Sequence, residues 1–214
     1  LGLLTLAISL YFFGLGSFYA PTNGDEMVYI HIARLTAESG HWLPLVSDLD
    51  HMRNTKPPLL FWQALVAGDW GARWTLFALR LPSVFYTLAT AAGIGWCTHR
   101  LRGNWRTACL ATVLYLTFFS TFRFGRAYLT SAPETFWLAL PMLALLWSQL
   151  QAASSVRPLA WPAQYKPWCA GRTLLCFSGW GLCMGVGLLY KSFALVAPAA
   201  ATLWCALLAS QPWR

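Results

Sequence analysis

The chain has 214 residues, of which 57% are hydrophobic and only 10% charged, with 13 Trp and 13 Phe. Soluble domains carry roughly a quarter charged residues, so this balance excludes an ordinary soluble enzyme and predicts a bilayer protein. A net charge of +8 would suit nucleic acid in a soluble chain. Here the basic residues are dispersed between apolar runs, and membrane topology accounts for them with no nucleic-acid partner.

Residues 1–20, "LGLLTLAISLYFFGLGSFYA", are uncharged. The run exceeds the about 7–15 apolar residues of a secretory signal and is long enough to span a bilayer. Runs at 81–99, 106–123, 133–150, 172–190 and 193–210 read the same way. The expected fold is therefore an all-α polytopic membrane protein of about six transmembrane helices. Residues 21–80 form a long, partly helical first loop, and the Pro- and Trp-rich stretch before residue 172 is an interfacial loop. Both chain ends lie in or beside apolar runs, as in a fragment of something longer.

Alternate connections carry Arg100, Arg102, Arg106, Arg157, Lys166, Arg172 and Arg214 with no acidic residue among them. Unopposed Lys and Arg mark the cytoplasmic side, which puts the long loop outside. The outer side then holds all seven acids. Six of them, Asp25, Glu26, Glu38, Asp48, Asp50 and Asp69, lie in the first loop, and Glu134 stands alone.

"TNGDEMVYIHIARLTAESG" predicts a helix of about four turns stopped by Gly40. Asn23 and Glu26 have capping-box spacing, which gives Glu26 a structural role. Asp25 adds little to capping and shares a face with Tyr29 at i+4, so it is the better candidate for chemistry. Arg34 and Glu38 read as a solvated i,i+4 pair. In "NTKPPLLFW" two prolines open a helix and fix Lys56 at the membrane surface, where it either snorkels or holds a phosphate.

"FRFGRAYLTSAPETFW" places Ser131 and Glu134 at a second capping-box spacing, with Arg123 and Arg126 upstream to pair with Glu134 or an anion. In "GVGLLYKSF", Lys191 sits between two apolar runs, where a cation needs water or a partner, and anion binding supplies one. Gly181 and Gly185 before it form G-x-x-x-G and predict close helix packing. The six cysteines lack metal-ligand spacing and read as small packing residues.

These parts suit transfer of a group from a lipid phosphate. A carboxylate, Asp25 or Glu134, takes the acceptor proton, while Lys56, Lys191 and Arg126 hold the departing phosphate. A transporter would put its charges near the bilayer midplane; here they gather at one face. A degenerate scaffold relative is the other alternative.

The Asp25-Glu26 pair with Tyr29, "SGHWLPL", "KPPLLFW", "LRLPS" and Lys191 after "GLLY" together resemble glycosyltransferase family 39. This group of GT-C-type membrane enzymes includes protein O-mannosyltransferases and lipid A aminoarabinose transferases. The resemblance implies inverting transfer from a polyprenyl-phosphate sugar to a lipid or protein hydroxyl at the outer face of a membrane, with a bacterial inner membrane and a periplasmic site expected. It puts Asp25 in the catalytic centre and Lys56 near the donor phosphate. Ser131 stands where the family usually carries a second acid, and Glu134 is expected to replace it. Relatives differ in metal use, which leaves a divalent cation open and no cofactor certain.

Overall fold

A computed structural model describes residues 2–18, 24–43, 56–154, 170–191 and 193–209. Asn23, Asp48, Asp50, Arg157, Lys166, Cys169 and Arg214, and most of the interfacial loop, lie outside the described residues. Among those described the fold is helical throughout, with no strand.

Helix α1 (Gly2–Phe12) is followed by α2 (Gly24–Ser39), α3 (Leu59–Ala67) and a 3-10 turn (Asp69–Gly71). These lead into α4 (Leu76–Arg102), α5 (Trp105–Thr117), α6 (Phe119–Phe124) and α7 (Ser131–Ser154). Two further helices, α8 (Ala170–Tyr190) and α9 (Phe193–Ala209), complete the order. Helix α4 is the centre of the bundle and packs on α5 and α7; α7 packs on α8, and α2 and α3 lie together over one end.

Local chemistry sets these boundaries. Gly40 takes φ +67, so α2 ends where glycine permits a left-handed residue. Pro58 precedes the first residue of α3, a place where a missing N–H is harmless. Thr75 Oγ1 accepts from the Ala78 N–H at the start of α4, and Asn104 caps α5 immediately after the left-handed Gly103.

Two predicted spans are revised. Helix α1 ends at Phe12, not near residue 20, because Gly14 turns left-handed at φ +66. The 106–123 run is broken at Phe118, which is extended (φ −62, ψ 130). That break turns α6 so that Gly125 O accepts from Thr87 Oγ1 at 3.0 Å. Among the described residues only α4 is both long and apolar enough to cross a membrane; parts of α1, α8 and α9 are apolar but shorter.

Many large apolar side chains face outward along the bundle, including Leu3, Phe13, Phe85, Leu114, Phe119, Leu182 and Trp204. Contiguous apolar surface on this scale requires a nonaqueous neighbour. Along α4, Arg80 and Arg100 are separated by about 30 Å of helix, the thickness of a hydrocarbon core.

The glycines that bring helices together are not the predicted pair. A Cβ at Gly181 or Gly185 would meet nothing within 4 Å, whereas at Gly187 it would lie 2.7 Å from Leu138 Cδ2 of α7. Apolar spacing located the stripe but not the face that α7 covers. Gly187→Ala is therefore expected to destabilise the chain by about 1–3 kcal/mol through overpacking. Gly181→Ala should be neutral or better. Thermal unfolding of the two variants side by side checks the contrast.

Candidate functional site

Glu26 and Lys56 of the first loop face charged residues at the N-terminal ends of α4 and α7, the latter beside the C-terminal end of α8. The floor of this region is a buried ion pair. Glu26 of α2 is fully buried, and Arg80 of α4 is 2% exposed. Arg80 Nε donates to Glu26 Oε1 at 2.7 Å and Nη2 donates to Oε2 at 3.0 Å, a bidentate fork. Arg80 Nη1 also donates to the carbonyls of Leu15 (2.9 Å) and Ser17 (3.0 Å), and the Tyr128 N–H donates to Glu26 Oε1 at 2.7 Å. One guanidinium thus ties the chain after α1 to α2 and α4.

The Asn23 half of the expected capping box lies outside the described residues; within them, the Glu26 oxygens accept from Arg80 and the Tyr128 N–H. Arg80 itself carried no role in the sequence reading. The signal was present: an Arg at the head of an apolar run needs a partner. Its partner, however, lies 54 residues away.

With Glu26 sequestered, Asp25 is the exposed carboxylate of the first turn of α2. Its neighbour Tyr29 is 8% exposed, with its ring edge-on to Phe61 of α3 at 6.2 Å. Burial, and secondarily the Asp25 carboxylate, push the Tyr29 phenol above its ordinary pKa. The two share a face of α2, as their i,i+4 spacing implies. Two further tyrosines complete the packing: Tyr128 Oη donates to Leu60 O (2.8 Å), and Tyr190 Oη donates to Gln63 Oε1 (2.8 Å).

A second group forms where α7 meets the end of α8. Glu134 is 1% exposed, its Oε2 lies 3.5 Å from Lys191 Nζ, and its Oε1 has no hydrogen-bond partner. Lys191 and, more weakly, Lys56 are the cations that face it. Helix α7 already begins at Ser131, one residue too early for Ser131 to be the N-cap that a Ser131–Glu134 box requires. Ser131 instead lines a cavity of about 210 Å³ with Thr87, Tyr115, Thr121 and Thr135.

The two arginines are held elsewhere. Arg126 Nη2 donates to Phe13 O and its guanidinium lies 4.8 Å from the Phe122 ring centroid, while its Nε is buried without a partner. Arg123 is exposed and lies over Phe119 and Phe124. Both line a cavity of about 320 Å³ together with Arg80 and Leu15. The charged residue acting on Arg126 is thus Arg80, not either lysine. Sequence reasoning placed Lys56, Lys191 and Arg126 in one clamp; the fold brings the lysines to Glu134 and sends Arg126 to the end of α1. Among the described residues, no three His, Cys, Asp or Glu side chains come together as a metal site.

Among the described residues, a helical bundle with an apolar exterior and buried acids paired with cations near one end of α4 and α7 defines a membrane-type helical scaffold. The chain belongs to the dolichyl-phosphate-mannose-protein mannosyltransferase family, whose model matches residues 1–214. Similar proteins include undecaprenyl phosphate-alpha-4-amino-4-deoxy-L-arabinose arabinosyl transferases. That of Pectobacterium carotovorum is 28% identical over 87% of this chain and 32% of its own length. That of Erwinia tasmaniensis is 30% identical over 83% of this chain and 29% of its own, and that of Edwardsiella ictaluri 28% over 89% and 31%. The chain thus spans about a third of the length of these relatives. No solved structure matches it.

Proposed function

We propose that the chain is the donor-handling part of an integral membrane glycosyltransferase that moves a sugar from a polyprenyl phosphate to a hydroxyl of a lipid or protein acceptor. The observation that carries this reading is the division of labour in the first turn of α2: Glu26 is locked by Arg80, and Asp25 is left exposed beside the buried Tyr29. A base must reach its substrate, and Asp25 does what Glu26 cannot.

In the proposed reaction Asp25 takes the proton of the acceptor hydroxyl. The acceptor oxygen bonds to the anomeric carbon as the carbon–oxygen bond to phosphate breaks, and polyprenyl phosphate leaves. A single displacement inverts the anomeric centre. Lys56 and Lys191 take up the charge gathering on the leaving phosphate, and Glu134 holds Lys191 in place. Arg126, with an unpartnered Nε, and Arg123 offer a second anion contact at their own cavity. The relatives' names carry an undecaprenyl-phosphate donor, which fits a bacterial inner membrane with six spans and a periplasmic site. Domain limits follow the same reading, with residues 21–80 bearing the acids and the spans supporting them.

The test is a turnover assay on the full-length parent protein with labelled polyprenyl-phosphate sugars, scoring release of free polyprenyl phosphate. Release with at least one donor is expected. No release with aminoarabinosyl or mannosyl donors would overturn the proposal.

A further inference from the structure

A second concavity lies at the far end of α2, away from Asp25. Arg34, Ala37 and Glu38 of α2, with Trp70, Gly71 and Trp74, line a space of about 480 Å³, within the roughly 300–1,000 Å³ usual for small-ligand sites. We propose that this hollow is a saccharide subsite, taking a sugar ring remote from the reacting bond.

Its aromatic wall is built rather than incidental. Trp70 stands edge-on to Trp42 at 4.9 Å, and Trp42 edge-on to Trp62 at 6.0 Å. The Trp62 Nε1–H also donates to Trp42 O at 3.3 Å. Trp70 reaches this position only because it and Asp69 both adopt φ +49, a left-handed conformation unfavourable for a bulky residue. Strain of this kind persists where the surrounding structure fixes it, and it concentrates at ligand sites. Opposite, the Trp74 ring lies so close to Gly68 that a Cβ there would come within 2.6 Å of it.

The polar complement is equally specific. Arg34 Nε donates to Glu38 Oε1 at 2.8 Å, yet both side chains are more than half exposed. They leave donors and a carboxylate oxygen facing the hollow. Sugar rings match this wall. Their C–H faces stack on the negative face of an indole, and their hydroxyls both accept and donate. Tryptophans serving only as membrane anchors need no strained backbone and no ion pair beside them.

Position along α2 says which sugar. Arg34 and Glu38 lie about 14 and 20 Å of helix from Asp25, whereas reacting atoms must approach within about 3.5 Å. Granting that Asp25 is the reacting end, as the proposed function holds, the ring bound here cannot be the one transferred. It is a distal sugar of the acceptor.

The experiment is saturation-transfer NMR on the full-length protein in nanodiscs, with diacetylchitobiose and mannobiose as water-soluble probes. Saturation of at least one disaccharide is expected. It should fall about fivefold or more in Trp70→Ala, as loss of roughly 1 kcal/mol of contact implies, and measurably in the double variant Arg34→Ala/Glu38→Ala, which removes the exposed polar rim. Unaltered signal in both variants, or no saturation of either probe above a glycerol control, overturns the subsite. If Trp70→Ala unfolds, the Arg34→Ala/Glu38→Ala variant decides alone. The readout needs no turnover, so a protein that binds disaccharide through Trp70 but releases no polyprenyl phosphate would keep the subsite and sink the transferase reading. Turnover without Trp70-dependent binding would do the reverse.

Discussion

Replacing Arg80 by leucine is expected to lower the stability of the protein by about 3–5 kcal/mol, the usual result of stripping one partner from a buried ion pair. The expectation is strong because Arg80 does more than neutralise Glu26. Its three donating nitrogens hold both Glu26 oxygens and the carbonyls of Leu15 and Ser17. Removing it leaves a carboxylate that is fully buried, retaining only the Tyr128 N–H. The chain after α1 would also lose its tie to α2 and α4. The converse change, Glu26→Leu, should do comparable damage by leaving the guanidinium unopposed.

The double variant Glu26→Leu/Arg80→Leu should recover part of the loss, since two apolar residues leave no buried charge. Recovery should be incomplete because the Leu15 and Ser17 carbonyls stay unsatisfied. Thermal unfolding of the purified protein in detergent measures all four members of the cycle. A single-variant loss below about 1 kcal/mol, the range of exposed pairs, would mean that water reaches this pair.

What the sequence made legible was local. The extent of α2 followed from its amphipathic run and Gly40, α3 from the prolines before it, and the exposed Arg34–Glu38 pair from i,i+4 spacing. Each rests on interactions within a few residues. The readings that changed rest on partners far along the chain. Glu26 had a sufficient local explanation as a cap, and nothing in its neighbourhood announced Arg80. Glu134 likewise had a local box, but its cation is Lys191, just past the end of α8. Apolarity counted residues 1–20 as one span because a hydropathy window does not register a single left-handed glycine at Gly14. The G-x-x-x-G at Gly181 named a stripe, while the approach of α7 selected Gly187. Lys56 and Lys191 were expected on one face from the alternation of basic connections, and both act on Glu134. Arg126 shares that end of the bundle, but only side-chain packing sends it to Phe13.

That division between local and distant partners decides the largest expected effect on activity. Asp25→Asn should lower kcat by about 10²–10⁴, the contribution of a positioned general base, and leave the donor KM nearly unchanged because Asn preserves the shape of the site. Stability should not change, since Asp25 is exposed and no packing depends on it. Glu134→Gln should act differently. Its carboxylate is buried against Lys191, so its loss leaves unpositioned the lysine that the proposed function assigns to the donor phosphate. The expected effect is about 10- to 100-fold on kcat/KM, the size of one charge-assisted contact, and expressed chiefly in the donor KM. Polyprenyl phosphate release by the full-length protein, measured over a donor series for both variants, separates the roles. A large kcat loss in Glu134→Gln with little in Asp25→Asn would move the base from α2 to α7 and make Glu134 the acid that stands in for Ser131. Full activity in Glu134→Gln would leave its pairing with Lys191 a matter of packing alone.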